Sequence, residues 1–451
     1  MNHSRLEEIK QQAVTLVEMA QNQGAHTAVA TINQATDFEL EVRHGDIENL
    51  FESDGFSVGL TVSRDHKRAS VSSTDLGRES LEELVSQAMA MCRYTDSDPF
   101  YCLPEKERLA TETIDLDIYD PGLSEIDVES KIRMVVDLER RLKKEDPRLK
   151  SEGASLSTSL MASAMANSLG FSQANKSSAV AFGVSAFAED TVTRGDLNKG
   201  RKQSASWFSR AHHLEDLESI DTIAQKAATR VLRKLGARKP ETGNFPVYYE
   251  PSTAKSLWNH LLSAMMGGEI YRNESYLVDR VGTEVCSPLV QLWDEPLLPR
   301  GLGSRYFDNE GVRCRPLCLI RDGVLQTYLM GSYSAKKLGL HSTGHSGGHT
   351  NVIVRPGRLS EEEILREMGT GVWITQLFGH GTSISTGDYS RGAQGLWVEN
   401  GQVAYPIMEF TLNSQLDDMF RNISLLGNNV FHGSSLKTPG LLIGEMTVSG
   451  T

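Results

Sequence analysis

An α+β protein is predicted, with helix and antiparallel-sheet units in the N-terminal half followed by a β-rich C-terminal domain. Three observations carry that expectation. Near the N-terminus the apolar residues switch from helical to alternating spacing and back. From Ser151 to Ser209 the chain is rich in Ser, Ala and short apolar runs without helical period. Beyond Phe245, glycines punctuate strand-like segments almost to the end. Turn and linker signals divide the chain at 1–110, 120–237 and 244–451.

The first helix runs from about Arg5 to Asn22, with Ile9, Ala13, Leu16, Val17 and Ala20 on one face and Gly24 as its stop. Ser4 and Glu7 form a capping-box pattern at its start. Phe38, Leu40 and Val42 then alternate with Glu39, Glu41 and Arg43, and Phe56, Val58, Leu60 and Val62 repeat the alternation beyond an Asp54-Gly55 turn. A second amphipathic helix follows at about Arg78 to Arg93. Tyr94 to Leu123 reads as a connection with several Pro and Gly turns. A third helix starts near Ser124 and carries Ile132, Val135, Val136 and Leu138, and strands fill Ser151 to Ser209. A fourth helix, about Ile220 to Leu235, closes the second unit before the Arg238–Gly243 linker.

In the last unit, Phe245 to Glu250 reads as a strand and Ala254 to Met266 as a buried helix ended by Gly267-Gly268. One further helix, capped by Ser360 and Glu363 and stopped by Gly369, interrupts the strands.

Composition limits what such a protein does. Hydrophobic residues make up 39% and charged residues 23%, as in ordinary globular proteins. A net charge of -13 argues against a broad grip on nucleic acid, which needs a basic face. No run reaches the ~20 apolar residues needed to cross a bilayer, and Met1 leads directly into a polar helix instead of a secretory signal, so cytoplasmic localisation with no membrane partner is expected. The cysteine count of 5 is odd and sparse, unlike a secreted disulfide framework. Cys314 and Cys318 lack a second pair at zinc spacing and are read as buried packing.

Several constellations invite a chemical reading. His341, His345 and His349 recur at four-residue spacing, which on a helix would line up for zinc. Gly344, Gly347 and Gly348 make the segment a loop, so the readings are a polar loop, a substrate-lining loop or a metal site. Gly344-His-Ser-Gly-Gly348 matches the nucleophile-elbow pattern, but a strand follows it where an elbow needs a helix. His260 sits on an apolar helix without a second histidine one turn on, and reads as a hydrogen-bonded core or interface residue. The most concentrated polar stretch is Gly379-His-Gly-Thr-Ser383 with Thr386-Gly-Asp-Tyr-Ser-Arg-Gly392. There His380, Asp388 and Arg391 supply an acid–base group, an anion and a carboxylate-pairing cation. Asp388 and Arg391 read equally well as a turn-stabilising pair.

Ser332-Tyr-Ser-Ala-Lys-Lys-Leu-Gly-Leu-His-Ser-Thr-Gly-His345, Thr386-Gly-Asp-Tyr-Ser-Arg-Gly-Ala393 and Trp397-Val-Glu-Asn-Gly401 resemble signature segments of the TldD/PmbA family, in its PmbA (TldE) branch. Phe307-Asp-Asn-Glu-Gly-Val312 and Ser70-Val-Ser-Ser-Thr-Asp-Leu76 agree. The resemblance implies pairing with a TldD-like subunit into a metallopeptidase acting on unfolded or small peptides, including peptide-antibiotic precursors and antitoxins. It also implies that zinc belongs to the partner. The TldD branch carries a His-Glu-x-x-x-His helix and a C-terminal cysteine; Asn259-His-Leu-Leu-Ser-Ala264 matches that helix with Asn259 and Ala264 at ligand positions, and His432-Gly-Ser-Ser435 has no cysteine. On this expectation the chain has no cofactor of its own, and His260, His345, His380, Asp388 and Arg391 are cleft or interface candidates. Related subunits often pair through equivalent surfaces, so the chain alone can also form a homodimer. Two alternatives stand beside it: a regulatory binding protein of the gyrase-modulator kind, and an autonomous metallopeptidase using His341, His345 and His349.

Overall fold

The computed structural model describes residues 3–190 and 200–450, and the predicted strand material at 191–199 lies outside them. The first half comprises α1 (His3–Asn22), β1 (Thr27–Arg43), β2 (Asp46–Arg64), β3 (Lys67–Ser73), α2 (Arg78–Cys92), α3 (Val128–Glu145), β4 (Lys150–Asn167), β5 (Ser172–Glu189), β6 (Lys202–Ala211) and α4 (Ile220–Leu232). Its strands form one antiparallel sheet in the order β3-β2-β1-β4-β5-β6. Both of the first two sequence units therefore contribute to it, joined where β1 pairs with β4.

Side-chain alternation explains how one face serves two helix pairs. Ala28, Ala30 and Ile32 of β1 pack in a core with α1 and α2. Further along the same face, Phe38, Leu40 and Val42 pack beneath α3 and α4. The stripe read from α1 is buried throughout, including Ile9, Ala13 and Leu16. The connection after α2 is not a free loop, because Leu109, Ala110 and Leu116 are buried with Met165, Phe171 and Tyr306.

Three local readings need correction. Asp54 and Gly55 lie inside β2, where Gly55 pairs with Ala35. The hairpin instead turns at His44 and Gly45, whose φ of 57° and 88° suit a tight two-residue hairpin turn. Their amides donate to the buried Glu139 carboxylate of α3 at 2.8 and 2.9 Å, a contact that local sequence cannot show. α1 already includes Ser4, so that residue does not cap it, and α3 is capped by Asp127 accepting from the Ser130 amide at 2.7 Å.

The C-terminal half contains β7 (Gly243–Tyr249), α5 (Pro251–Ala264), α6 (Gly267–Tyr271), β8 (Leu292–Asp294), β9 (Leu317–Arg321), β10 (Val324–Leu325), α7 (Ser332–Leu338), β11 (Val352–Val354), α8 (Glu361–Met368), β12 (Gly371–Phe378), β13 (Asp388–Glu399), β14 (Gln402–Gln415), α9 (Leu416–Arg421), β15 (Ile423–Phe431) and β16 (Leu436–Ser449). Strands β7, β12, β13, β14 and β16 close on themselves, because β7 pairs with both β12 and β16. The capping box at Ser360 and Glu363 forms as read. Gly267 and Gly268 open α6 instead of merely ending α5.

Among the polar contacts that tie the halves together, two are centred on Glu250 and Lys234. Glu250, at the N-terminus of α5, accepts from Arg230 (2.5 Å) in the last turn of α4 and from Arg233 (3.0 Å) at its C-cap. Lys234 Nζ donates to the Ser204 carbonyl and to Gln376 Oε1, each at 2.6 Å. Burial pulls the Lys234 ammonium down to about 8.

Candidate functional site

The site is built where α5 meets β13. Pro251 opens α5, and Leu257, Trp258, Leu261 and Leu262 bury its inner stripe. That leaves His260 half-buried at the helix margin and Asn259 exposed. On β13, alternation puts Tyr389 and Arg391 on one face and Asp388 on the other.

Arg391 is fixed by the strand beside it: its Nε donates to the Phe378 carbonyl at 3.0 Å. Its Nη1 lies 3.4 Å from His260 Nε2. A guanidinium only donates, so Nε2 accepts and the imidazole proton is assigned to Nδ1. Burial first and the Arg391 charge second hold the His260 pKa below its ordinary value. The ring also meets Tyr389 edge-on at 6.3 Å. Tyr389 is buried with its hydroxyl 3.4 Å from that of Tyr249, and burial pushes it up to about 12. The cluster thus presents a fixed cation and a neutral imidazole over a protonated tyrosine pair.

The glycine-rich segment folds onto this strand. Ser390 N donates to the Gly381 carbonyl at 2.6 Å, and Ser383 N to the Asp388 carbonyl at 2.9 Å. Gly381 is required there, since a Cβ would sit 2.1 Å from the Ser390 carbonyl oxygen. His380 is exposed on this flap. Asp388 does not pair with Arg391; it accepts from Thr386 Oγ1 and from Gln415 Nε2 (2.5 Å). The Thr386 hydroxyl and then Gln415 hold its carboxyl below the usual range. The turn-stabilising pair read from spacing is absent because residues three apart on a strand point to opposite faces.

His345 belongs elsewhere. It is 2% exposed, and its Nε2 lies 3.0 Å from Oδ2 of the fully buried Asp294. Its Nδ1 meets Thr343 Oγ1 at 2.9 Å, and Asp294 also accepts from Thr350 N and Oγ1, each at 2.7 Å. His345 therefore anchors the 341–349 loop from beneath instead of lining an open cleft. His341 is exposed and pairs with Glu105 at 2.9 Å, while His349 Nδ1 lies 3.2 Å from the Thr350 carbonyl. The three rings have separate partners. Among the described residues no three His, Cys, Asp or Glu side chains gather as metal ligands would. Ser346 is held by its amide on Asp308 Oδ2 (2.9 Å) in a loop, not on a strand-to-helix elbow. Cys314 is buried and Cys318 half-buried, both as free thiols.

His432 lies far along α5 from His260. Together with Phe431, Trp207 and Pro251 it lines a cavity of about 550 Å³ at the N-terminal end of the helix. Pro251 and His260 are nine residues apart, roughly 13 Å of helix. Sequence reasoning missed Tyr249, Tyr389 and Asp294. A buried tyrosine pair has no local motif, and Asp294 precedes His345 by 51 residues.

Family models described as PmbA/TldA metallopeptidase domain 1, central domain and C-terminal domain match residues 28–92, 121–235 and 242–450. The chain is similar to Metalloprotease PmbA of Escherichia coli O157:H7, with 36% identity covering 97% of this chain and 95% of that one. A Metalloprotease TldD homolog of Haemophilus influenzae is 25% identical, covering 73% of this chain and 74% of its own. Among solved structures, a putative modulator of DNA gyrase from Bacteroides thetaiotaomicron superposes with TM-score 0.92 at 26% identity, covering 98% of this chain and 99% of that chain. TldE from Thermococcus kodakarensis shares the fold, with TM-score 0.86 at 19% identity over 97% and 100% of the two chains.

Proposed function

Because this chain belongs to the PmbA/TldD family of metallopeptidases, we propose that it is the subunit of a two-chain peptidase that lines the substrate cleft and supports a zinc-carrying, TldD-like partner. The observation that carries this reading is the Arg391 guanidinium 3.4 Å from His260 Nε2 on α5. A permanent cation at that distance opposes a divalent ion on the same imidazole. The flanking Asn259 and Ala264 supply no histidine or carboxylate ligand. The residues present do not fit zinc, and no hydrolytic step is assigned to this chain.

What the cluster offers is hydrogen-bond donation. Arg391 suits a peptide carbonyl or a terminal carboxylate, and neutral His260, whose Nε2 already accepts from Arg391, offers its Nδ1–H without adding charge. His380 lies on the flap beside this strand, and Asp388 opens the strand on its other face, held by Thr386 and Gln415. Unfolded or small peptides, such as peptide-antibiotic precursors and antitoxins, are the substrate class, and the cytoplasm is the compartment. Among the described residues no helix is long and apolar enough to cross a membrane. Without the partner the chain forms a homodimer.

The test measures zinc content and cleavage of an unstructured peptide by the chain alone, by a TldD-like subunit alone and by the mixture. Zinc in the partner and chelator-sensitive cleavage only when that partner is present is the expected result. Stoichiometric zinc with cleavage by the isolated chain would overturn the reading. A regulatory protein without peptidase involvement would show neither co-purification with the partner nor any effect on cleavage.

A further inference from the structure

The first sheet has one long edge that the described residues leave open. β3 pairs with β2 only over Val58–Arg64, so on the outer side of β2 the segment Asp46–Ser57 meets no other described strand. At ~3.4 Å per residue this is roughly 40 Å of unpaired backbone. Soluble proteins usually blunt such edges, and carboxylates on this one discourage pairing with like chains. Its apolar residues argue for pairing with something else: Ile47 and Leu50 are 49% and 44% exposed.

The register shows what they prolong. Ile47 lies opposite Val42 and Leu50 opposite Leu40, and both β1 partners are buried in the α3/α4 core. The stripe therefore runs from beneath α3 out to an edge where the next strand position is vacant. The charge is equally one-sided. From Asp37 to Asp54 the hairpin carries seven Asp or Glu side chains and a single Arg, Arg43. Arg43 is itself 3.5 Å from Glu48.

We infer that the Asp46–Ser57 edge of β2 is a docking strand for an extended cationic peptide, which adds to the sheet by backbone pairing. Apolar side chains of the peptide cover Leu50 and Ile47, and Lys or Arg side chains farther along the same face meet Glu52 and Asp54, which the register places in line with Leu50. Backbone pairing gives affinity without demanding a sequence, while the carboxylates select charge. Edge-to-edge pairing of two copies would set acidic strand against acidic strand, which like-charge repulsion opposes. This deepens the peptide-subunit reading by naming which peptides are gathered, but it concerns binding and requires no cleavage.

The experiment uses the full chain and a fluorescein-labelled peptide in which every second residue reads valine, valine, lysine, lysine with serine between them, so that one strand face carries all four, followed by anisotropy and by amide hydrogen exchange. Binding that weakens with salt, no binding of the valine–glutamate counterpart, and new protection confined to 46–57 are expected. Replacing Glu48, Glu52 and Asp54 together by lysine should weaken binding roughly ten-fold or more, taking ~0.5 kcal/mol per cross-strand charge pair, and should allow the acidic peptide to bind. Protection elsewhere, or unchanged affinity in the folded triple variant, would overturn the inference. So would protection of 46–57 by a second copy or by a TldD-like subunit that excludes the peptide. Cleavage is not read, so failure here leaves the peptidase-subunit proposal standing.

Discussion

Glu250→Gln isolates the ion-pair clamp between the two halves of the molecule. The substitution keeps volume and shape and removes the charge that Arg230 (2.5 Å) and Arg233 (3.0 Å) share. Glu250 makes no side-chain cap bond to α5, so helix capping is not part of the effect. Charge-assisted hydrogen bonds contribute ~1.5–3 kcal/mol each. The carboxylate is 6% exposed, but each arginine keeps 19% of its side chain in water, which relieves part of the loss. A cost of about 2–3 kcal/mol follows. Urea denaturation followed by far-UV circular dichroism reads it, and limited proteolysis near the Arg238–Gly243 linker should accelerate in parallel. Adding Arg233→Met should cost less on top of Glu250→Gln than in the wild type, because its partner charge is already gone. A shift below ~0.5 kcal/mol, with additive effects of the two changes, would refute the clamp.

Other outcomes are equally specific. Arg391→Met should raise the His260 pKa measured by NMR, since the guanidinium is one of its two depressing causes; an unchanged titration would remove the contact from the argument. Because the folded pKa of His260 lies below the unfolded one, the unfolded chain binds more protons in that window, so this residue's contribution to stability should fall as pH drops from about 6.5. His260→Gln should flatten that part of the pH–stability curve. Asp294→Ala should cost about 3–5 kcal/mol by stranding buried His345 and Thr350. Hydrogen bonds and the facing imidazole outweigh burial to lower the Asp294 pKa. The penalty should thus be full above the unfolded value near pH 4 and shrink as pH falls through the lower folded value. Gly381→Ala should detach the 379–387 flap, seen as faster amide exchange at Ser390, while the global unfolding midpoint moves little; retained protection would refute the close approach.

Legibility tracked how local each cause was. α1, α2 and α8 follow from stripes and caps spanning a few residues, and Ser360, Glu363 and Gly369 act as read. The hairpin turn was misplaced because Asp54-Gly55 has turn chemistry, whereas His44-Gly45 is stabilised by Glu139 from a helix far along the chain. The single six-stranded sheet was hidden because β4 and β5 are rich in Ser, Ala and short apolar runs, and partner choice is not written in either strand. Within the site, His260 and Arg391 were each visible as polar residues on regular elements. Their meeting across 131 positions was not, and neither was the Asp294 support beneath His345.

The β1–β4 pairing has a consequence during synthesis. β1 is complete at Arg43, but its inner neighbour begins only at Lys150, more than a hundred residues later. At elongation rates of about 5–20 residues per second, the ribosome exposes an incomplete sheet for roughly 5–20 s. During that interval α1 and α2 can cover one face, yet the β1 border and the Asp46–Ser57 stretch of β2 stay available to whatever chain or chaperone is nearby. The nascent protein is therefore most vulnerable while the Tyr94–Leu123 strap and α3 are being made.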